Sequence, residues 1–176
     1  DESVTQIVEL DAFRMNMMSL NIAPFDDSVS SLFGDLDLLL VKNDDSDYYV
    51  PEYNVNQIGT FDSHEGYKVF LNGAGEQTMS VDGLPVLPGA LTLDPFRMNL
   101  LPYSINDCMA TDDVFAGYEE SLLIVKNDGS DYYVPAFGVS TLDEMCPGEG
   151  YAVFLNGGSS IDFMYPMGLA SSSDDL

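Results

Sequence analysis

Asparagine and aspartate crowd two short stretches, Asn43-Asp44-Asp45-Ser46-Asp47 and Asn127-Asp128-Gly129-Ser130-Asp131. Side-chain oxygens at this spacing suit a hard cation such as Ca2+, which makes Asp44, Asp45, Asp47, Asp128 and Asp131 candidate metal ligands. The same residue types form a tight hairpin turn with no ion at all, and the bidentate Glu that completes an EF-hand loop is missing. The turn reading is the simpler one, so no cofactor is expected, with Ca2+ as the alternative. Arg14, Arg97, Lys42 and Lys126 are four of the chain's five positive charges. They fall at two repeated positions, and the expectation is that each forms a structural ion pair with a carboxylate of its own unit. The fifth, Lys68, reads as an exposed strand residue. Cys108 and Cys146 are either two buried thiols or a disulfide. Tyr49, Tyr53 and Tyr133 are candidate ligand-facing aromatics, of the kind that line carbohydrate sites. Neighbouring strand residues point to opposite faces, so only one tyrosine of each Tyr-Tyr pair can belong to such a surface.

Catalytic signatures are thin. His64 is the single histidine, and Gly148 stands at the matching repeat position. No nucleophile elbow, phosphate loop or zinc helix occurs in the sequence. A non-enzyme is expected.

The elements that position these residues come in duplicate. Val41 to Pro51 matches Val125 to Pro135 at ten of eleven positions. Phe13-Arg14-Met15-Asn16 recurs as Phe96-Arg97-Met98-Asn99, and Gly66-Tyr67-x-Val69-Phe70-Leu71-Asn72-Gly73 as Gly150-Tyr151-x-Val153-Phe154-Leu155-Asn156-Gly157. Three blocks in one order define a tandem repeat. Residues 1–83 form unit one, 84–90 a short Pro/Gly-punctuated connector, 91–168 unit two, and 169–176 a polar tail. Within a unit, Leu10 to Ile22 reads as one bent strand or two. Asp27-Ser28 offers an N-cap to a short helix over Val29–Phe33, matched by Thr111–Phe115. Leu38–Val41 and Tyr48–Val50 flank the acidic turn as a hairpin, and Gly66–Leu71 and Thr78–Val81 supply further strands. The expected fold is mainly β: two homologous barrel- or sandwich-like units, each with one short helix, packed together about a pseudo-twofold or screw relation.

Composition narrows the partners. With 30 acidic and 5 basic side chains the net charge is −25. Such a surface does not release counterions from nucleic acid and is repelled by anionic lipid, so neither partner is expected. No apolar run is long enough to cross a membrane as a helix.

Several of these blocks together resemble a known repeat: Phe13 to Leu20, Val29 to Phe33, Leu40 to Asp44, Tyr49 to Val55, Ile58-Gly59 and Glu65 to Leu71. The pattern is similar to a repeat of secreted and cell-surface bacterial proteins that opens on Trp-Asn and Ile-Ser-Leu and closes on a Gly-x-Gly-Tyr strand. Met15 stands here where that repeat has Trp. The tryptophan-free, methionine-rich form is most similar to virion structural proteins of marine tailed phages, particularly those of cyanobacteria. The resemblance spans nearly the whole chain, twice. It implies a capsid-decoration or tail-surface role at the virion surface, contacts with other virion proteins or copies of itself, and no catalytic residues. The alternative it leaves is an extracellular or cell-surface adhesive or carbohydrate-binding module. The expected contact segments are Asp1 to Glu9, Met164 to Leu176 and the edge strands of each unit.

Overall fold

A computed structural model describes residues 2–73 and 75–166 of the chain. Unit one contains β1 (Val4–Leu10), β2 (Met15–Met18), β3 (Ile22–Pro24), α1 (Val29–Leu32), β4 (Leu38–Lys42), β5 (Tyr48–Val50), β6 (Val55–Asn56), β7 (Tyr67–Leu71) and β8 (Gln77–Pro85). Unit two contains β9 (Leu91–Leu93), β10 (Asn99–Pro102), β11 (Met109–Ala110), α2 (Thr111–Val114), β12 (Leu122–Lys126), β13 (Tyr132–Val134), β14 (Val139–Ser140), β15 (Glu144–Met145), β16 (Gly150–Leu155) and β17 (Ile161–Phe163).

Each unit is built on a five-stranded antiparallel sheet, ordered β2-β7-β4-β5-β6 in the first and β10-β16-β12-β13-β14 in the second. The registers coincide: Val41 faces Val69 as Val125 faces Val153, and both sheets slip register between the first and third residues of the strand before the acidic turn. A second sheet, β1-β8-β3, completes unit one, while β9-β17 and β11-β15 complete unit two. The fold is mainly β and sandwich-like, and among the described residues no sheet closes into a barrel.

Alternation explains the longest pair. In β1, Gln6, Val8 and Leu10 point inward while their neighbours face out, and Met79, Val81 and Gly83 do the same in β8. A two-residue period with one apolar side is what a half-buried strand requires. Two cores result. One gathers Val8, Leu20, Phe33, Val41, Phe61 and Tyr67, the other Tyr103, Phe115, Val125, Phe163 and Tyr165, with their neighbours. Phe61 stacks on Tyr67 at 4.3 Å, and Phe115, Phe163 and Tyr165 form a chain of ring contacts.

Val4 to Leu10 pair with β8 along their full length. Two expectations change. The Leu10–Ile22 segment is neither one strand nor a simple pair: turns at Asp11–Arg14 and Ser19–Asn21 split it into β1, β2 and β3, which lie in two different sheets. Ser28 does precede α1, but its hydroxyl donates to Asp26 Oδ1 at 2.7 Å instead of capping the helix. The helix is held by burial of Val29 and Phe33. The expected tail, 169–176, and most of the expected Met164 to Leu176 contact segment lie outside the described residues.

The units meet along the free edges of β2 and β10. Met18 bridges Glu149, Ser19 N–H donates to the Gly148 carbonyl at 3.1 Å, and Gly66 N–H donates to the Leu100 carbonyl at 3.4 Å. Met17, Leu100 and Ala152 are buried between the units, flanked by Met15, Met98 and Phe154. The repeated glycines Gly66 and Gly150 set this distance. A Cβ on Gly66 would sit 3.2 Å from Leu100, and one on Gly150 would sit 3.0 Å from the Met18 carbonyl oxygen. Gly150→Ala and Gly66→Ala are therefore expected to destabilise the chain by about 1–2 kcal/mol each in chemical denaturation. Gly157→Ala, whose Cβ meets open space, should stay within about 0.5 kcal/mol of the parent.

Candidate functional site

The repeated residues converge on the seam. Arg14 leaves its own unit: Nη1 donates to the Asp128 carbonyl and Nη2 to Asp128 Oδ1, both at 3.1 Å. Asp128 Oδ2 also accepts the backbone N–H of Met17 at 2.7 Å. The second copy mirrors the first. Arg97 Nη2 donates to Asp44 Oδ1 at 2.8 Å and to its carbonyl at 2.5 Å, and Leu100 N–H donates to Asp44 Oδ1 at 3.0 Å. When residue i of one half touches j of the other, and the equivalents of j and i touch in turn, the relation is a twofold. Each arginine also pairs with a carboxylate of its own unit, Arg14 with Asp11 at 2.5 Å and Arg97 with Asp94 at 3.9 Å, and adds to that expected pairing a contact across the seam. An arginine with a fixed fork reaches a carboxylate and a carbonyl at once, and a lysine does not.

Asparagines hold both partners of this clamp. Asn16 spans the turn before it: Asp11 N–H donates to its Oδ1 at 2.8 Å, while its Nδ2 donates to the carbonyls of Asp11 and Val69. Asn99 does the same with Asp94 and Val153. In the acidic turns, Asn43 Oδ1 accepts Asp47 N–H at 2.8 Å, and Asn127 Oδ1 accepts Gly129 and Asp131 N–H at 2.9 Å. These are Asx-type turns that need no ion. Asp44 and Asp128 turn across the seam to arginine, away from any shared centre with Asp45, Asp47 or Asp131. Among the described residues, the one group whose ligand atoms converge is Cys108, Glu144 and Cys146. Its sulfurs are already joined in a disulfide, which resolves the two readings of the cysteines and ties the segment before β11 to the end of β15. Closing a loop of 38 residues contributes on the order of 4 kcal/mol in the chain-entropy view.

The remaining expected residues scatter. Lys42 and Lys126 have no carboxylate within 4.0 Å among the described residues; Lys42 lies over the Tyr48 ring at 5.6 Å. Lys68 is half-buried beside Lys42 rather than exposed. Tyr133 is 5% exposed and stacks on Phe115, and Tyr49 packs half-buried on the first core, while Tyr53 is 73% exposed. The three tyrosines do not form one platform. Phe137, the repeat equivalent of Tyr53, is exposed instead, and so are Phe13 and Phe96. Reading residue types missed Asn16, Asn99, Gly66 and Gly150; their identity in both copies was the signal that marked them.

Comparison with protein-family models, curated proteins and solved structures returned no match for this chain.

The seam encloses carboxylates that are expensive to ionise. Burial, then the Asp128 carboxylate, push the Glu149 carboxyl up to about 7, against the opposing pull of Arg14. Burial also raises Asp44, Asp128 and Glu65. A carboxyl whose folded value lies above its ordinary value near 4.5 keeps its proton longer in the folded chain, so stability falls as pH rises through the window from about 4.5 to about 7. Denaturation midpoints should drop between pH 5 and pH 8. Glu149→Gln should flatten that slope and add on the order of 1–2 kcal/mol at pH 8.

Proposed function

We propose that the chain is a non-enzymatic structural protein of a phage virion, a capsid-decoration or tail-surface component that contacts other virion proteins or copies of itself. The observation that carries this reading is the division of labour within each repeat. Arg, Asp, Asn and Gly of the signature are consumed in locking the two units together, while one aromatic of the signature faces outward in both. Phe13 and Phe96 are 84% and 89% exposed. Both sit at φ +62°, a left-handed conformation that costs a bulky side chain of order 1 kcal/mol or more. Asn16 and Asn99 hold the strained turns from below. An exposed ring kept in a strained turn in two diverged copies suits contact with a partner better than it suits folding. The resemblance to marine phage virion proteins points the same way. The Cys108–Cys146 bridge agrees with service in an oxidising, extracellular medium.

Tyr53 and Phe137, also exposed at equivalent positions, support the second reading, an adhesive or carbohydrate-binding module at an extracellular or bacterial cell surface.

Replacing both strained phenylalanines by asparagine, which tolerates φ > 0, separates docking from folding. Phe13→Asn with Phe96→Asn is expected to keep or raise stability, by up to about 1 kcal/mol. The same variant should lose the self-assembly seen by light scattering, or the co-sedimentation with purified phage particles, that the parent shows. A parent that is monomeric, fails to sediment with particles and binds glycans through Tyr53 or Phe137 would move the assignment to the second reading.

A further inference from the structure

Three of the chain's five cations, Lys42, Lys68 and Arg97, line a single pocket of about 360 Å³ at the seam. Unit one supplies the lysines and the acidic turn, and unit two supplies Arg97, Met98 and Leu100. Lys42 and Lys68 are register partners on adjacent strands β4 and β7, so their side chains leave the same face of the sheet. Like charges directly opposite one another destabilise a sheet. Among the described residues, neither has a carboxylate within 4.0 Å to neutralise it. Asp44 and Asp45 also line the pocket, and Asp44 Oδ1 is engaged by Arg97 and by the Leu100 amide. Burial, and then Lys42, push the Lys68 ammonium below its ordinary value, against the opposing pull of Asp44.

The second unit shows that the fold does not require this arrangement. Lys126 occupies the position of Lys42, but its register partner is Ala152, which is buried with Met17 and Leu100. The two seams share the Arg–Asp clamp and differ at Lys68, matched by Ala152, and at Asp45 on the pocket wall, matched by Gly129. The paired lysine is present on one side of the pseudo-twofold only.

We propose that Lys42, Lys68 and Arg97 form a binding site for a small tetrahedral oxyanion, the phosphate or sulfate group of a ligand. Two ammonium groups on one sheet face supply rotatable donors to separate oxygens of such a group. Ser46, on the pocket wall, adds a hydroxyl donor. The charge of the whole chain repels anions at long range, so recognition depends on these contacts at short range.

Isothermal titration of the full chain with inorganic phosphate, and separately with inorganic sulfate, at constant ionic strength, tests the site and distinguishes the two sources. The parent should bind one equivalent of at least one of them and melt at a higher temperature in its presence than in chloride. Lys68→Ala, which installs the residue that the second unit already tolerates, should weaken binding at least tenfold and remove the melting shift. Lys68→Gln should do the same, and Lys126→Ala should leave both unchanged. Equal binding and equal melting shifts in the parent, Lys68→Ala and Lys126→Ala would overturn the proposal, because a screened acidic surface alone would then explain them. No saturable heat with either anion would overturn it as well. Neither result bears on particle docking through Phe13 and Phe96.

Discussion

The reciprocal contact of Arg14 with Asp128 and of Arg97 with Asp44 is the constraint on which the rest of the chain depends. A unit of about 80 residues buries too little of its unfolded surface to be comfortably stable alone. Here two such units share a small apolar seam of methionine, leucine, alanine and phenylalanine. The clamps at its two ends fix the register of that seam. Each aspartate accepts an arginine and a backbone amide of the opposite edge strand, so displacement of one unit along the other breaks charge-assisted hydrogen bonds at both ends. The glycines at 66 and 150 follow from the same constraint, since a Cβ at either would press on the opposite edge strand, at 3.2 Å and 3.0 Å.

Local structure serves this geometry. The buried asparagines at 16, 43 and 99 and the half-buried Asn127 tie the turns that present arginine and aspartate, satisfying backbone groups that would otherwise lack partners. Tyr67 and Tyr151 add a matching brace, each hydroxyl accepting the amide five residues earlier at 2.8 Å. The electrostatic consequence is a set of half-buried carboxylates on each side of the seam, Glu149 with Asp128 and Glu65 with Asp44, in a chain already strongly acidic.

Much of this was legible in the sequence. The tandem repeat, the mainly β fold, the hairpin around each acidic turn and the short helices follow from turn residues, strand alternation and the duplicated blocks. Arg14 and Arg97 each have a carboxylate partner in their own unit, as the sequence suggests, while the second partner across the seam was hidden. A sequence repeat reports which residues recur and not which copy supplies the partner, and an intra-unit and a reciprocal inter-unit pair leave the same trace in both copies. Tyr133 was misplaced because a strand residue's face depends on the sheet's packing, and Tyr49 and Tyr133 lie at one position with different burial. The Lys42–Lys68 pairing was hidden because it depends on register across two strands distant in sequence. The exposure of Phe13 and Phe96 was hidden for a related reason, since an apolar residue beside an apolar strand reads as core until the backbone turns left-handed beneath it.

A double-mutant cycle on Asp44→Ala and Arg97→Ala, read by chemical denaturation, addresses the seam most directly. If the units are one body held by reciprocal clamps, the chain unfolds in a single transition. The pair then shows a coupling energy of about 1–3 kcal/mol across the 53 residues that separate them. Effects that add to within about 0.3 kcal/mol, or two separate unfolding transitions, would contradict the clamp and leave the two units as independent domains.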